Sequence, residues 1–116
     1  MNPNEYQKEA LRTENCTRKS IRLLEQYRLI QGLMGLNGEA GEAVDILKKH
    51  LFQGHDLSRE HLAKELGDVA WYLAVSADAL GYSLEEIFQM NIQKLRARYP
   101  ERFEVEKSLN RAVEDE

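Results

Sequence analysis

Residues 58–81 read SREHLAKELGDVAWYLAVSADALG, and on them the choice of fold class turns. Leu62, Leu66, Val69, Leu73 and Leu80 recur at spacings of three, four and seven, the period of one helix face rather than the alternation of a strand. Ser58 supplies an N-terminal cap and Gly81 a stop, so a helix is predicted from near Ser58 to Gly81. Downstream, Ser83-Leu84-Glu85-Glu86 reads as a capping box that opens a further helix through Ile87, Met90, Ile92 and Leu95, with Pro100 as its limit. Upstream, a helix through Val44, Ile46, Leu47 and Leu51 is expected to stop at Gln53-Gly54 and to start somewhere between Gln26 and Gly38. A short first helix is expected over Glu5 to Asn15. The two prolines, Pro3 and Pro100, stand near the ends, and the interior is rich in Leu, Ala, Glu, Lys and Arg, all strong helix formers. The expectation is an all-α bundle of four to five helices.

A chain of 116 residues fits one domain, 1–116, able to bury roughly 65% of its unfolded surface. Its charged end, residues 101–116, is expected to be a short helix, a partner-binding arm or a frayed tail. The net charge of -4 and pI near 5.5 provide no broad basic footprint, which argues against nucleic-acid or anionic-membrane partners. Cys16 stands alone, so neither an internal disulfide nor a thiolate metal cage can form. With no signal-like or membrane-length apolar run, the expected compartment is the cytoplasm.

Residues 38–45, GEAGEAVD, set Glu39 and Glu42 three apart and therefore on one helix face. Glu65-Leu66-Gly67-Asp68 repeats the spacing, and each pair spans only about 4.5 Å along a helix axis. If the two helices form an antiparallel hairpin with axes roughly 8–10 Å apart, four carboxylates can meet at one centre. Such a cluster is tolerable when protonated or when divalent cations neutralise it, and carboxylate oxygens suit Mg²⁺ or Mn²⁺. Ala40, Gly41 and Gly67 would let a backbone or ligand come close. The same spacing also suits acids on a solvated face, in a sequence with 31% charged residues. A di-iron carboxylate bundle is excluded, because Leu47, Phe52 and Ser58 stand three before His50, His55 and His61 where such a site needs glutamate. The histidines are expected at the surface or in loops, with His61 one turn before Glu65 and able to orient it.

The order Glu39-x-x-Glu42, 22 intervening residues, Glu65-x-x-Asp68 resembles the signature of the MazG-like all-α nucleoside triphosphate pyrophosphohydrolases. Asn91-Ile92-Gln93-Lys94-Leu95, then Arg98-Tyr99-Pro100 and Phe103, is similar to that family's downstream Asn-x-x-Lys-Leu and Arg-x-Pro segment. The resemblance runs from about Leu33 to Phe103. It implies a helical bundle assembling as a dimer or dimer of dimers, and Mg²⁺-dependent cleavage of a nucleoside triphosphate into monophosphate and pyrophosphate. Many relatives carry a further acid just before the first motif glutamate, where this chain has Gly38, so the resemblance brings four carboxylates and no ligand or base from that position.

On that reading Glu39, Glu42, Glu65 and Asp68 are both metal-binding and catalytic, with Glu42 or Glu39 able to take the proton of a water attacking the α-phosphorus. Asn91 and Lys94 share a helix face; Lys94 would meet the β- or γ-phosphate as a point charge, with Arg98 one turn further on. Trp71 and Tyr72 follow Asp68 by three and four residues, within reach of a base, although core packing or a subunit interface suits them equally. Ala70, Ala74 and Ala77 would admit a partner helix, and a homodimer or homotetramer is expected to complete the pocket. Two rivals stand beside this reading: a hydrolase that releases orthophosphate, and a non-enzymatic helical interaction or regulatory module.

Overall fold

Among the described residues of the computed structural model, five helices follow one another: α1 (Pro3–Leu11), α2 (Ile21–Gln53), α3 (Arg59–Ala79), α4 (Leu84–Arg98) and α5 (Val105–Leu109). The structure describes residues 1–14 and 21–110, with side chains in α2 from residue 24 onward. Cys16, the expected helix end at Asn15 and the last six residues of the C-terminal arm lie outside the described residues. Among those described there is no strand, as the all-α reading expects, and no helix is long and apolar enough to cross a membrane.

Local signals set most helix ends. Asn2 caps α1 in a reciprocal box with Glu5, its Oδ1 accepting from Glu5 N at 2.8 Å, and Pro3 occupies the first turn, where a missing N–H is harmless. The helix therefore starts two residues earlier than expected. Ser58 Oγ accepts from His61 N at 3.1 Å and opens α3. At the other end Gly81, with φ +86°, lets Tyr82 N donate to Ala77 O and Gly81 N to Asp78 O, both at 2.9 Å. That pair of bonds is a Schellman stop, which needs a left-handed residue. Gly54, φ +74°, ends α2 in the same left-handed region, and His50 Nδ1 lies 2.8 Å from His55 O across the turn.

The start of α2 is the main correction. The helix begins at Ile21, not between Gln26 and Gly38, and it runs unbroken through Gly32, Gly35, Gly38 and Gly41 for about 50 Å. Two of these glycines are packing notches. A Cβ at Gly32 would overlap Ser76 Oγ, and one at Gly35 would fall within the Tyr72 ring. Nothing lies within 4 Å of such an atom at Gly38, Gly41 or Gly67, so the close approach of a neighbouring helix occurs at Gly32 and Gly35 rather than at Gly41 or Gly67.

The chain divides into two units, Met1–Leu84 and Glu85–Glu116. In the first, α2 and α3 form an antiparallel hairpin and α1 packs on α3. Gln7 of α1 is buried with its amide fully used: Nε2 donates to Ala74 O and Tyr82 O, each at 3.1 Å, and Oε1 accepts from Leu84 N at 3.2 Å. Buried polar groups are tolerated on that condition. Arg28 grips Glu14 through two bonds of 2.7 and 2.8 Å and Asp78 through one of 2.6 Å. The hydrogen bonds Arg28 donates to Glu14, and next to Asp78, hold the guanidinium pKa far above its ordinary value despite desolvation.

The core of this unit is small and built on Ala10, Ala74, Val75, Ala77, Ala79 and Leu84. Ala74 and Ala77 are thus covered by the chain's own helices, and they are not the partner-facing row the sequence suggested. Leu66 and Leu80, read as part of the apolar repeat, are exposed; so are Ile30, Leu33, Met34, Val44, Leu47 and Leu51 along α2. In the second unit, Tyr99 stacks at a tilt on Phe103 with ring centroids 5.0 Å apart, and the Arg98 guanidinium carbon lies 6.0 Å from the Tyr99 ring centroid.

Candidate active site

The glycine notches explain how acids on two helices meet. As α2 advances from Gly32 to Gly35 to Glu39, its neighbours on α3 recede from Ser76 to Tyr72 to Asp68 and Glu65. Drawn together at the two glycines, the helices carry their i,i+3 acids into one another one turn later. Carboxylate oxygens of Glu39, Glu42 and Glu65 all lie within 4.8 Å of each other. Glu39 and Glu65 are half-buried and Glu42 is exposed.

Asp68 is not in this trio; it lines the adjoining pocket. Asp45, the third acid of GEAGEAVD, is turned to other use, with Oδ2 at 2.9 Å from Lys49 Nζ and Oδ1 at 3.1 Å from Lys48 Nζ. Those lysines, Lys49 foremost, hold its carboxyl below the usual range.

Within the trio the carboxylates disfavour one another's charged forms. Glu39 Oε2 and Glu65 Oε2 are both shielded from solvent and have no hydrogen-bond partner. The Glu39 pKa is pushed up to about 7, first by the Glu65 carboxyl, which a protonated Glu39 can hydrogen-bond, then by desolvation and by the charges of Glu42 and Asp68. His61 Nε2 stands 3.5 Å from Glu65 Oε1, at the end of an i,i+4 reach that suits an orienting role. Hard, oxygen-only donors in a tight group, two of them lacking any donor of their own, match the demands of a divalent cation such as Mg²⁺ or Mn²⁺.

Beside the acids opens a pocket of about 340 Å³ lined by Glu39, Asp68, Trp71 and Tyr72. The two rings meet edge to face, with centroids 4.9 Å apart and planes at 83°. Both aromatics read as substrate-binding therefore face the same space as two of the carboxylates. Helix α1 and the turn after it add two groups that the sequence reading missed, one from each. The Tyr6 hydroxyl lies 3.5 Å from Gly67 O, and burial, followed by the Asp68 charge, raises its pKa. Thr13 Oγ1 accepts from Trp71 Nε1 at 2.9 Å. Neither contact has a local signal, since each joins residues about sixty positions apart. Asn91, Lys94 and Arg98 lie along one side of α4 in the second unit, with Asn91 exposed and the other two half-buried.

The raised Glu39 pKa has a signature in stability against pH. Glu39 titrates near 7 in the folded metal-free protein and near 4.5 when unfolded, so between those values the folded state holds the extra proton. Its contribution to stability is fully present below about pH 4.5 and is lost as pH rises through about 7. Urea unfolding of the metal-free protein across this window should show a decline that Glu39→Gln lacks. Parallel curves for the two proteins would remove the coupling.

Residues 29–103 match the family described as the MazG nucleotide pyrophosphohydrolase domain. A similar protein, the Gene 37 protein of Mycobacterium phage L5, is 42% identical over 77 residues, a match covering 60% of this chain and 68% of that protein. No solved structure matches the chain. The family match spans both acidic pairs, the aromatic wall and the whole of α4. By sequence and by its helical architecture, the chain belongs to the MazG nucleotide pyrophosphohydrolase domain family.

Proposed function

We propose that this protein hydrolyses a nucleoside or deoxynucleoside triphosphate to the monophosphate and pyrophosphate, with Mg²⁺ as its cofactor and Mn²⁺ as a substitute. The observation that carries the reading is the trio Glu39, Glu42 and Glu65, with two shielded and unpartnered oxygens, joined through Glu39 to the pocket of Trp71 and Tyr72. Glu39, Glu42, Glu65 and Asp68 would hold the cation. When bound, it supplies neutralising charge for the triphosphate and acidifies water.

The chain's own residues account for the rest. Trp71 and Tyr72 offer ring surface to the base, which keeps the triphosphate tail toward the acids. A water aimed at the α-phosphorus gives up its proton to a carboxylate oxygen of Glu39 or Glu42, and the pyrophosphate departs. The family's downstream motif extends the proposal to α4, where Lys94 and Arg98 would bind phosphate oxygens as cations and Asn91 on the same helix side would contribute an amide. A homodimer or homotetramer belongs to the same reading. Its support is the run of exposed Ile30, Leu33, Met34, Val44 and Leu51 on α2, an apolar row of the kind that marks an interaction surface.

A panel of canonical and modified triphosphates with Mg²⁺ tests the reaction. Pyrophosphate should be the product and diphosphates should be poor substrates, because the cut lies at the α-phosphorus. Orthophosphate as the sole product would support the rival hydrolase instead. Sedimentation of the same active sample should return at least a dimer at micromolar concentration, and an active monomer would refute the shared assembly.

A further inference from the structure

Trp71 is the chain's single tryptophan. An indole has one hydrogen-bond donor, and here it is committed: Nε1 donates to Thr13 Oγ1 at 2.9 Å. The Thr13 hydroxyl has one proton, and Oγ1 lies 2.9 Å from Ala10 O, where that proton is donated. The bonds therefore run in one direction, from Trp71 through Thr13 to the α1 backbone, and the threonine oxygen is left as a pure acceptor for the indole.

Thr13 is itself held in place. The next residue, Glu14, has a side chain only 4% exposed and is clamped bidentately by Arg28, which also binds Asp78. Behind it, Gln7 fastens α1 to α3. A mobile hydroxyl would orient nothing, but this one is anchored on both sides. The pocket that Trp71 lines with Glu39, Asp68 and Tyr72 thus has one wall set from outside the family match at residues 29–103.

We infer that Thr13 is a positioning residue for nucleobase binding: through Oγ1 it fixes the Trp71 indole as a stacking wall and leaves that ring no free N–H with which to read a base edge. The inference rests on the nucleotide reading above. Stacking on an aromatic face tolerates any base, since every base has a π-face. Selection among bases at this wall is then a matter of ring overlap, and edge recognition falls to other groups.

The test uses Trp71 as its own reporter. Wild type, Thr13→Ser and Thr13→Val are compared first without metal or nucleotide, by tryptophan emission and anisotropy, with circular dichroism to confirm equal helix content. Thr13→Val keeps the shape and deletes the acceptor, so it should shift the emission maximum and lower the anisotropy; Thr13→Ser should restore both. In steady-state hydrolysis of a triphosphate with Mg²⁺, Thr13→Val should raise KM about 5-fold, the weight of roughly one net hydrogen bond, with kcat within about 2-fold of wild type. Thr13→Ser should match wild type. Wild-type emission and KM in Thr13→Val would overturn the inference and leave the nucleotide reading standing. A fall in kcat as large as the rise in KM, or a Thr13→Ser protein as impaired as Thr13→Val, would also overturn it. Failure of the wild type to bind or hydrolyse any triphosphate would overturn the nucleotide reading, and this inference with it.

Discussion

Glu65→Gln should abolish most turnover, by at least about 100-fold, the upper end of what even outer-shell partners of metal ligands cost when lost. Glu65 is the hub of the trio: one of its oxygens stands with those of Glu39 and Glu42, its Oε2 is shielded and unpartnered, and it is the foremost cause of the raised Glu39 pKa. Glutamine keeps the shape, removes a charge and introduces an amide that can donate to Glu39. In the absence of metal the variant should therefore melt at or above the wild-type temperature. With Mg²⁺ the order should reverse. A ligand that binds only the folded state adds about 2.7 kcal/mol at a hundredfold excess over its Kd, and wild type should gain on this scale where Glu65→Gln gains little. The exposed Glu106 on α5 is the control, and Glu106→Gln should show neither effect. Near-normal activity in Glu65→Gln with an undiminished Mg²⁺ shift would show that Glu65 is not a ligand.

Gly35→Val should be the most damaging single change to the fold of the hairpin. A Cβ at Gly35 has no room beside the Tyr72 ring, and two further methyl groups cannot be absorbed by a half-buried ring already packed edge to face on Trp71. Overpacking of this kind costs about 3 kcal/mol at the upper end of its usual range, and valine recovers little of that in helix propensity. The damage should reach activity too, because Tyr72 lines the pocket and the same close approach brings Glu39 to Glu65. Gly38→Ala provides the contrast one turn away. No atom lies within 4 Å of a Cβ there, so the change should raise stability by up to about 1 kcal/mol through helix propensity alone. Urea midpoints measure both. Equal effects at the two positions would mean that Gly35 is not a packing notch.

The features legible along the chain were those that helical geometry alone determines. An i,i+3 spacing puts Glu39 with Glu42 and Glu65 with Asp68 on shared faces whatever the rest of the molecule does. The Ser58 cap and the Gly81 stop act within a few residues of themselves, so the bounds of α3 followed from local chemistry. The family resemblance was legible for the same reason, since its motifs are short and spaced along helices.

Glycine misled, because one residue type serves two purposes. Gly54 and Gly81 end helices with positive φ, whereas Gly32 and Gly35 continue one and make room for a neighbour; only the atoms facing them tell these apart. Ala74 and Ala77 of α3 show the same ambiguity: small residues signal close contact but not with whom, and here the chain's own helices cover both.

The tertiary structure alone decided the antiparallel register of α2 on α3, which selects Glu39, Glu42 and Glu65 as the tight trio and leaves Asp68 to the pocket. It likewise decided that α1 places Tyr6 by Gly67 and that the turn after α1 places Thr13 on Trp71. The physical reason is range: a hydrogen bond between residues nearly sixty positions apart depends on how the intervening helices pack, and packing is a sum over side-chain contacts that no local spacing encodes.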